Sequence, residues 1–141
     1  MNQFVIIVDD SVTVRKILEV SLHRAGYDDV RIFPDSIELL RWLTTPEARS
    51  PALVLVDLTM PKIDGYDLIR RLKVRSAFAC STFIILSGRS GVLDKLKGRL
   101  SGASMYLTKP FKTQDIVALV SAHVGPPSFP ISPYTQHERM G

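Results

Sequence analysis

A chain of 141 residues, 45% hydrophobic and 23% charged, has the size and composition of one folded domain, because about two thirds of the unfolded surface is already buried at this length. A disordered bulk is excluded, and no apolar run approaches the roughly 18 residues of a membrane-spanning helix. Net charge is +4, but residues 70–112 hold ten Lys/Arg against Asp94 alone, a basic stretch that suits solvated helix faces or an acidic partner; no recognition-helix or zinc pattern accompanies it, so nucleic-acid binding is not expected.

In chain order the elements alternate. Phe4 to Val8 is a continuous apolar run of strand length, the pattern of a strand buried on both faces. Val14, Ile17, Leu18, Ser21, Leu22 and Ala25 then repeat at helical spacing, and Gly26 stands where a helix C-terminus favours glycine. Val30 to Phe33 is the second strand, and Asp35 or Ser36 can cap a helix carrying Ile37, Leu40 and Leu43, with Trp42 packing inside it. Ala52 to Val56 is the third strand, running into Asp57. Leu68, Ile69 and Leu72 mark the third helix, and Thr82 to Leu86 is the fourth strand. Residues 91–100 are less regular, with Val92, Leu93, Leu96 and Leu100 among many cations. Ser104 to Leu107 is the fifth strand, and Thr113 is the candidate N-cap of a last helix carrying Ile116, Leu119, Val120, His123 and Val124.

Strictly alternating strands and helices imply right-handed crossovers and an α/β doubly wound parallel sheet covered on both faces. Ligands of such sheets bind beyond the carboxyl ends of the strands. The chain places polar groups there: Asp9-Asp10 after the first strand, Asp57 at the end of the third, Ser87-Gly88 after the fourth, and Thr108-Lys109-Pro110 after the fifth. Three carboxylates brought together repel. A hard divalent cation relieves them through oxygen ligands, and Lys109 can meet an anion. A phosphoryl group satisfies both demands, with Asp57 as the nucleophile that forms an acyl phosphate and Ser87 as a hydroxyl donor to its oxygens.

In these residues the chain resembles a response-regulator receiver domain of two-component signalling, of the chemotaxis-type single-domain kind, over residues 3 to about 124. The resemblance implies a flavodoxin-like five-stranded sheet in the order 2-1-3-4-5 with five helices. By position, Asp9 and Asp10 match the acidic pair that binds Mg²⁺ (or Mn²⁺), Asp57 the phosphoacceptor, and Thr59 the position whose backbone carbonyl completes the metal site. Met60-Pro61 and Asp64-Gly65 match the following loop. Ser87 fills the hydroxyl position, Tyr106 that of the switch aromatic, and Lys109-Pro110 that of the lysine followed by a cis peptide bond. Thr59 and Arg89 occupy the positions that tune dephosphorylation. Gly88 stands where alanine is common, and the basic fourth helix lacks the usual acidic balance.

The implied partners are a sensor histidine kinase or histidine phosphotransfer protein as donor, and a downstream protein docking on the face of the fourth helix, fifth strand and fifth helix. A phosphorylation-dependent homodimer is compatible with the resemblance. So defined, the protein is a signalling phosphoacceptor that catalyses only its own phosphorylation and dephosphorylation. Three rivals have discriminators: an aspartyl-phosphate hydrolase needs an acid where Thr59 stands, Asp9-Asp10 would repel a flavin phosphate, and a phosphorylation-independent receiver does not need the intact Asp9, Asp10, Asp57, Ser87 and Lys109. Cys80 has no internal disulfide partner, and Met1-Asn2-Gln3 leads into a strand instead of a signal peptide, so the cytoplasm is expected. Residues 1–124 are expected to form the receiver. Residues 125–141, with Pro126, Pro127, Pro130 and Pro133, are expected to be a flexible tail or the start of a linker to an output domain.

Overall fold

The computed structural model describes residues 2–127; most of the expected Pro-rich tail, including His137, lies outside them. Its parallel strands are β1 (Val5–Val8), β2 (Val30–Phe33), β3 (Leu53–Asp57), β4 (Thr82–Ser87) and β5 (Met105–Thr108), ordered β2-β1-β3-β4-β5. The helices are α1 (Val12–Arg24), α2 (Ser36–Trp42), α3 (Gly65–Lys73), α4 (Val92–Ser101) and α5 (Thr113–Val124). β1 pairs with β2 and β3 in a register that sets Val8 beside Phe33 and Val56, and Asp57 of β3 lies beside Leu86 of β4. The polar residues at the strand ends therefore emerge along one edge of the sheet.

Because successive strand residues point to opposite faces, the sheet divides its apolar residues between two cores. Ile6, Val8, Val54, Val56, Phe83 and Ile85 pack with Leu39, Trp42, Leu68, Ile69 and Leu72 of α2 and α3. Val5, Ile7, Leu53, Leu55, Ile84 and Leu86 pack with Leu18 and Leu22 of α1 and Ile116, Val120 and Val124 of α5. Trp42 packs as expected, with its ring centroid 5.5 Å from that of Phe33 and 5.9 Å from that of Phe4.

Four sequence expectations are corrected. Ile17, placed on the buried stripe of α1, is exposed, because the helix turns Leu18 and Leu22 inward and leaves Ile17 at the boundary. In α2 it is Leu39 and Trp42 that are buried, while Ile37, Leu40 and Leu43 are half-buried. Asp35 is the cap, accepting from the Glu38 amide at 2.9 Å. The alternative cap, Ser36, is instead fully buried and donates to the Ile63 carbonyl at 2.9 Å, tying α2 to the loop after β3. Lys112, not Thr113, is the N-cap of α5, and no side chain caps that end. The largest departure is α4. Its buried residues are Gly98 and Ser101, and Val92, Leu93, Leu96 and Leu100 are all exposed.

Candidate functional site

The loop after β1 presents the first two carboxylates. Asp9 is fully buried, and its Oδ1 accepts from the Ser11 amide at 2.9 Å while its carbonyl accepts from Arg15 Nη1 at 2.8 Å. Ser11 caps α1 by accepting from the Val14 amide, so the cap and Asp9 are fixed by the same short segment. Asp10 is exposed. Asp57, the last residue of β3, is buried, and its Oδ1 accepts from the Thr59 amide at 3.4 Å. Asp9, Asp10 and Asp57 each bring one oxygen within 4.8 Å of the others.

The loop after β3 holds its shape by local contacts. The Ile63 amide donates to the Pro61 carbonyl at 2.8 Å across Lys62, whose φ is 67°, a tight turn in the left-handed region that side chains disfavour. Asp64 then caps α3, and Gly65 donates to the Leu58 carbonyl at 2.9 Å. A Cβ on Gly65 would stand 2.6 Å from the Asp57 carbonyl oxygen. Only glycine lets α3 start this close behind Asp57.

Lys109 enters from the other side. The Lys109-Pro110 bond is cis, and the Lys109 amide donates to the Ser87 carbonyl at 2.6 Å. Its Nζ lies 2.9 Å from Asp9 Oδ2 and 3.6 Å from Asp57 Oδ1. One ammonium does not balance three carboxylates. Burial foremost, then the charge on Asp9, pushes the Asp57 carboxyl up to about 6; Lys109 opposes the rise, and Asp10 adds to it. The donor set is all oxygen and carries excess negative charge, which fits Mg²⁺ or Mn²⁺ and not a thiophilic metal.

Ser87 and Tyr106 lie beyond the carboxylates. Ser87 is buried at the end of β4, and its Oγ accepts from the Arg89 amide at 3.1 Å. The Tyr106 hydroxyl donates to the Arg89 carbonyl at 2.7 Å, and the Arg89 guanidinium pairs with Asp94 at 2.8 Å. Thr59 is exposed beside Asp57. All the residues singled out in the sequence thus stand on this edge.

Sequence reasoning missed Tyr66. It is buried in α3, and its hydroxyl donates to the Asp94 carbonyl at 2.9 Å. Burial first, then Tyr106 and Asp94, raises the pKa of its phenol and keeps it a donor. Two tyrosines from two elements therefore hold two carbonyls of the segment that enters α4, and the Arg89–Asp94 pair closes the ring. Acceptors of this kind are backbone atoms, which no residue letter marks; the aromatic at position 66 was the sole signal.

A parallel sheet of this order, with an acidic triad and a lysine at its carboxyl edge, is a flavodoxin-like doubly wound domain whose strand ends gather charge. The profile of the response regulator receiver domain family matches residues 5–121, and the chain belongs to that family. PilG of Pseudomonas aeruginosa is 37% identical over 125 residues, covering 89% of this chain and 88% of PilG. The DNA-binding dual master transcriptional regulator RpaA of Synechocystis is 30% identical over 118 residues, covering 84% of this chain but 47% of RpaA. The chain thus spans most of PilG and about half of RpaA. Among solved structures, a putative response regulator from Chloroflexus aurantiacus superposes with TM-score 0.76 at 31% identity, covering 88% of this chain and 98% of that one. The chemotaxis protein CheY4 of Vibrio cholerae gives 0.75 at 25% identity, covering 84% and 96%.

Proposed function

We propose that this receiver domain accepts a phosphoryl group on Asp57 from the phosphohistidine of a sensor kinase or histidine phosphotransfer protein and passes the signal to a downstream protein. The observation that carries the reading is the meeting of Asp9, Asp10 and Asp57 within 4.8 Å, with the Lys109 ammonium 3.6 Å from Asp57. In the transfer, an Asp57 carboxylate oxygen forms the new O–P bond as the P–N bond to the donor imidazole breaks, and that nitrogen keeps the bonding pair. Asp9, Asp10, Asp57 and the Thr59 carbonyl would hold Mg²⁺ or Mn²⁺, which neutralises charge on the phosphoryl oxygens when bound. Lys109, whose Nζ is 3.6 Å from Asp57 Oδ1, meets the charge on the same oxygens. Ser87, whose Oγ accepts from the Arg89 amide, donates its hydroxyl hydrogen to the phosphoryl group, and Tyr106 responds through the shared Arg89 segment. Thr59 and Arg89 flank the acyl phosphate and set its rate of hydrolysis.

Donor docking has a place on the surface. A depression of about 450 Å³ lined by Val14, Ile17, Lys109, Pro110, Phe111 and Thr113 opens beside the lysine, and its apolar walls suit a helix presenting a histidine. Among the described residues no helix is long and apolar enough to cross a membrane, and the reading places the protein in the cytoplasm. The match to most of PilG supports a stand-alone receiver, residues 1–124 followed by a tail. The partial match to RpaA supports the second reading, a receiver followed by an output domain; immunoblot size of the native polypeptide separates the two.

The test is incubation with acetyl phosphate and Mg²⁺ followed by intact-mass measurement. One added phosphoryl group, lost in Asp57→Ala and on chelation, is expected. Labelling that survives in Asp57→Ala overturns the assignment. No labelling of the wild type, with tight partner binding retained, favours a phosphorylation-independent receiver.

A further inference from the structure

The edge of the sheet where the strands begin, opposite the acidic cluster, carries a second depression. The segments that lead into β3 and β4 meet there around a space of about 440 Å³, with Arg49 and Ser50 on one wall and Arg75 and Ser76 on the other. Its base is apolar, formed by Leu43, Ala48, Ala77 and Phe78. Phe78 is fully buried against Phe83, ring centroids 6.1 Å apart, and Leu43 and Ala48 pack against the same core. The walls are also fixed. Asn2 Nδ2 donates to the Ser50 carbonyl at 3.1 Å and Ser81 Oγ to the Pro51 carbonyl at 2.6 Å, while the Phe78 amide donates to the Arg75 carbonyl at 3.0 Å in a single 3₁₀ turn. A concave apolar base under a few convergent polar groups is the form of a small-molecule site.

The charges at the rim select the ligand. The Arg49 guanidinium lies 3.9 Å over the centroid of the Phe4 ring and pairs with Asp29, so it is held in place with its charge already offset. Among the described residues the Arg75 guanidinium makes no ion pair or hydrogen bond, and the hydroxyls of Ser50 and Ser76 are equally spare. Glu47, in the same loop as Arg49, does not line the depression. Two guanidinium charges less the one on Asp29 leave a single positive charge, which balances a monoanion. A guanidinium offers paired N–H donors that match the two oxygens of a carboxylate. Inorganic phosphate would use the rim and leave the apolar base wet. An uncharged apolar ligand would cover Arg75 without giving its charge a partner. Nucleic acid needs more cations than this rim presents.

We propose that this depression binds a small organic monocarboxylate, its aryl or branched alkyl body resting on Leu43, Ala48 and Phe78 and its carboxylate taken by the Arg75 fork beside the hydroxyls of Ser76 and Ser50. Arg49 keeps Asp29 as its partner and adds attraction without a new bond. Ligands of doubly wound sheets bind beyond the carboxyl ends of the strands; this site lies at their beginnings, ahead of Leu53 and Thr82. It is therefore separate from Asp57, and the proposal stands or falls independently of the receiver reading.

The experiment is an amide chemical-shift titration of the isotope-labelled full chain with phenylacetate, run beside phenylacetamide, inorganic phosphate and a short peptide ending in a free Phe carboxylate. Saturable shifts confined to the amides around Leu43, Ala48 to Ser50 and Arg75 to Phe78 are expected, with half-saturation at or below about 1 mM. Phenylacetamide and phosphate should each bind at least about tenfold more weakly, since each satisfies only half of the site. Arg75→Gln should weaken phenylacetate binding at least about tenfold, and so should Ala77→Trp, which fills the depression. Both positions are exposed, and the second variant keeps the test decisive if the first disturbs the 3₁₀ turn. Absence of saturation, shifts centred elsewhere, phenylacetamide or phosphate binding as well as the acid, binding indifferent to both substitutions, or tighter binding of the Phe-terminated peptide overturns the proposal.

Discussion

α3 and α4 cover the same side of the sheet, are nine and ten residues long, and both contain leucines and a cluster of cations. They use these residues in opposite ways. α3 buries Tyr66, Leu68, Ile69 and Leu72 in the core and sends Arg70, Arg71 and Lys73 to solvent. α4 buries Gly98 and Ser101 and sends both its cations and its leucines outward. The first helix is held by area removed from water; the second by close approach and by hydrogen bonds at its entry, from Tyr66 to Asp94 and from Tyr106 to Arg89. A helix held in the second way can be displaced without opening the core.

The contrast breaks most sharply at Leu72. Leu72→Ala leaves a cavity in the packed core and is expected to destabilise the fold by about 2–5 kcal/mol in urea unfolding; a loss under 1 kcal/mol would mean that α3 is not the anchored partner. At Asp57, from which the chain leads into α3, Asp57→Asn removes a carboxylate whose pKa is raised to about 6. Raised acid pKa values favour the protonated fold, so the wild-type penalty is fully present above pH 6 and absent below the ordinary 3.8. Without divalent cations, Asp57→Asn should therefore be the more stable at pH 8, by up to about 3 kcal/mol, with the gain fading as pH falls through that window. Mg²⁺ should raise the melting temperature of the wild type more than that of the variant.

Smaller effects sharpen the picture of α4. Tyr66→Phe deletes one hydrogen bond to the Asp94 carbonyl and is expected to cost about 1 kcal/mol globally, with faster amide exchange concentrated at the start of α4; exchange that rises evenly over the fold would dissolve the idea of a local tether. Leu100→Ala should change stability by no more than about 0.5 kcal/mol, the smallest effect of the set despite removing a leucine from a helix. A loss like that of Leu72→Ala would show that α4 is anchored through its leucines after all.

Much of this was legible in the sequence. Phe4–Val8 and Ala52–Val56 are apolar without interruption because both sheet faces are covered, and Asp57, Ser87 and Lys109 stand out because each follows such a run. Asp9 and Lys109, 100 residues apart, meet because both follow strands whose carboxyl ends lie on one edge, in the order that the resemblance implies. The orientation of α4 was not legible. Periodicity fixes the phase of a helix relative to itself, and the side that faces the sheet is decided by what fits; a Cβ on Gly98 would stand 3.0 Å from Ile85 Cδ1 and 3.2 Å from the Tyr106 ring, so here glycine fits and a leucine does not. The capping of α5 failed for a related reason, since Thr113 has the right chemistry but the chain enters the helix one residue earlier. The tether of Tyr66 ends on a peptide carbonyl, which is common to every residue and so invisible in a string of letters.

The notch at Gly98 separates two kinds of selection. Scaffold demands act on the single position where a methyl group would press on the tyrosine ring, while the outward ridge answers to nothing inside the molecule. Substitutions along that ridge can therefore change this surface in small steps, each leaving the fold and the acidic pocket as they were.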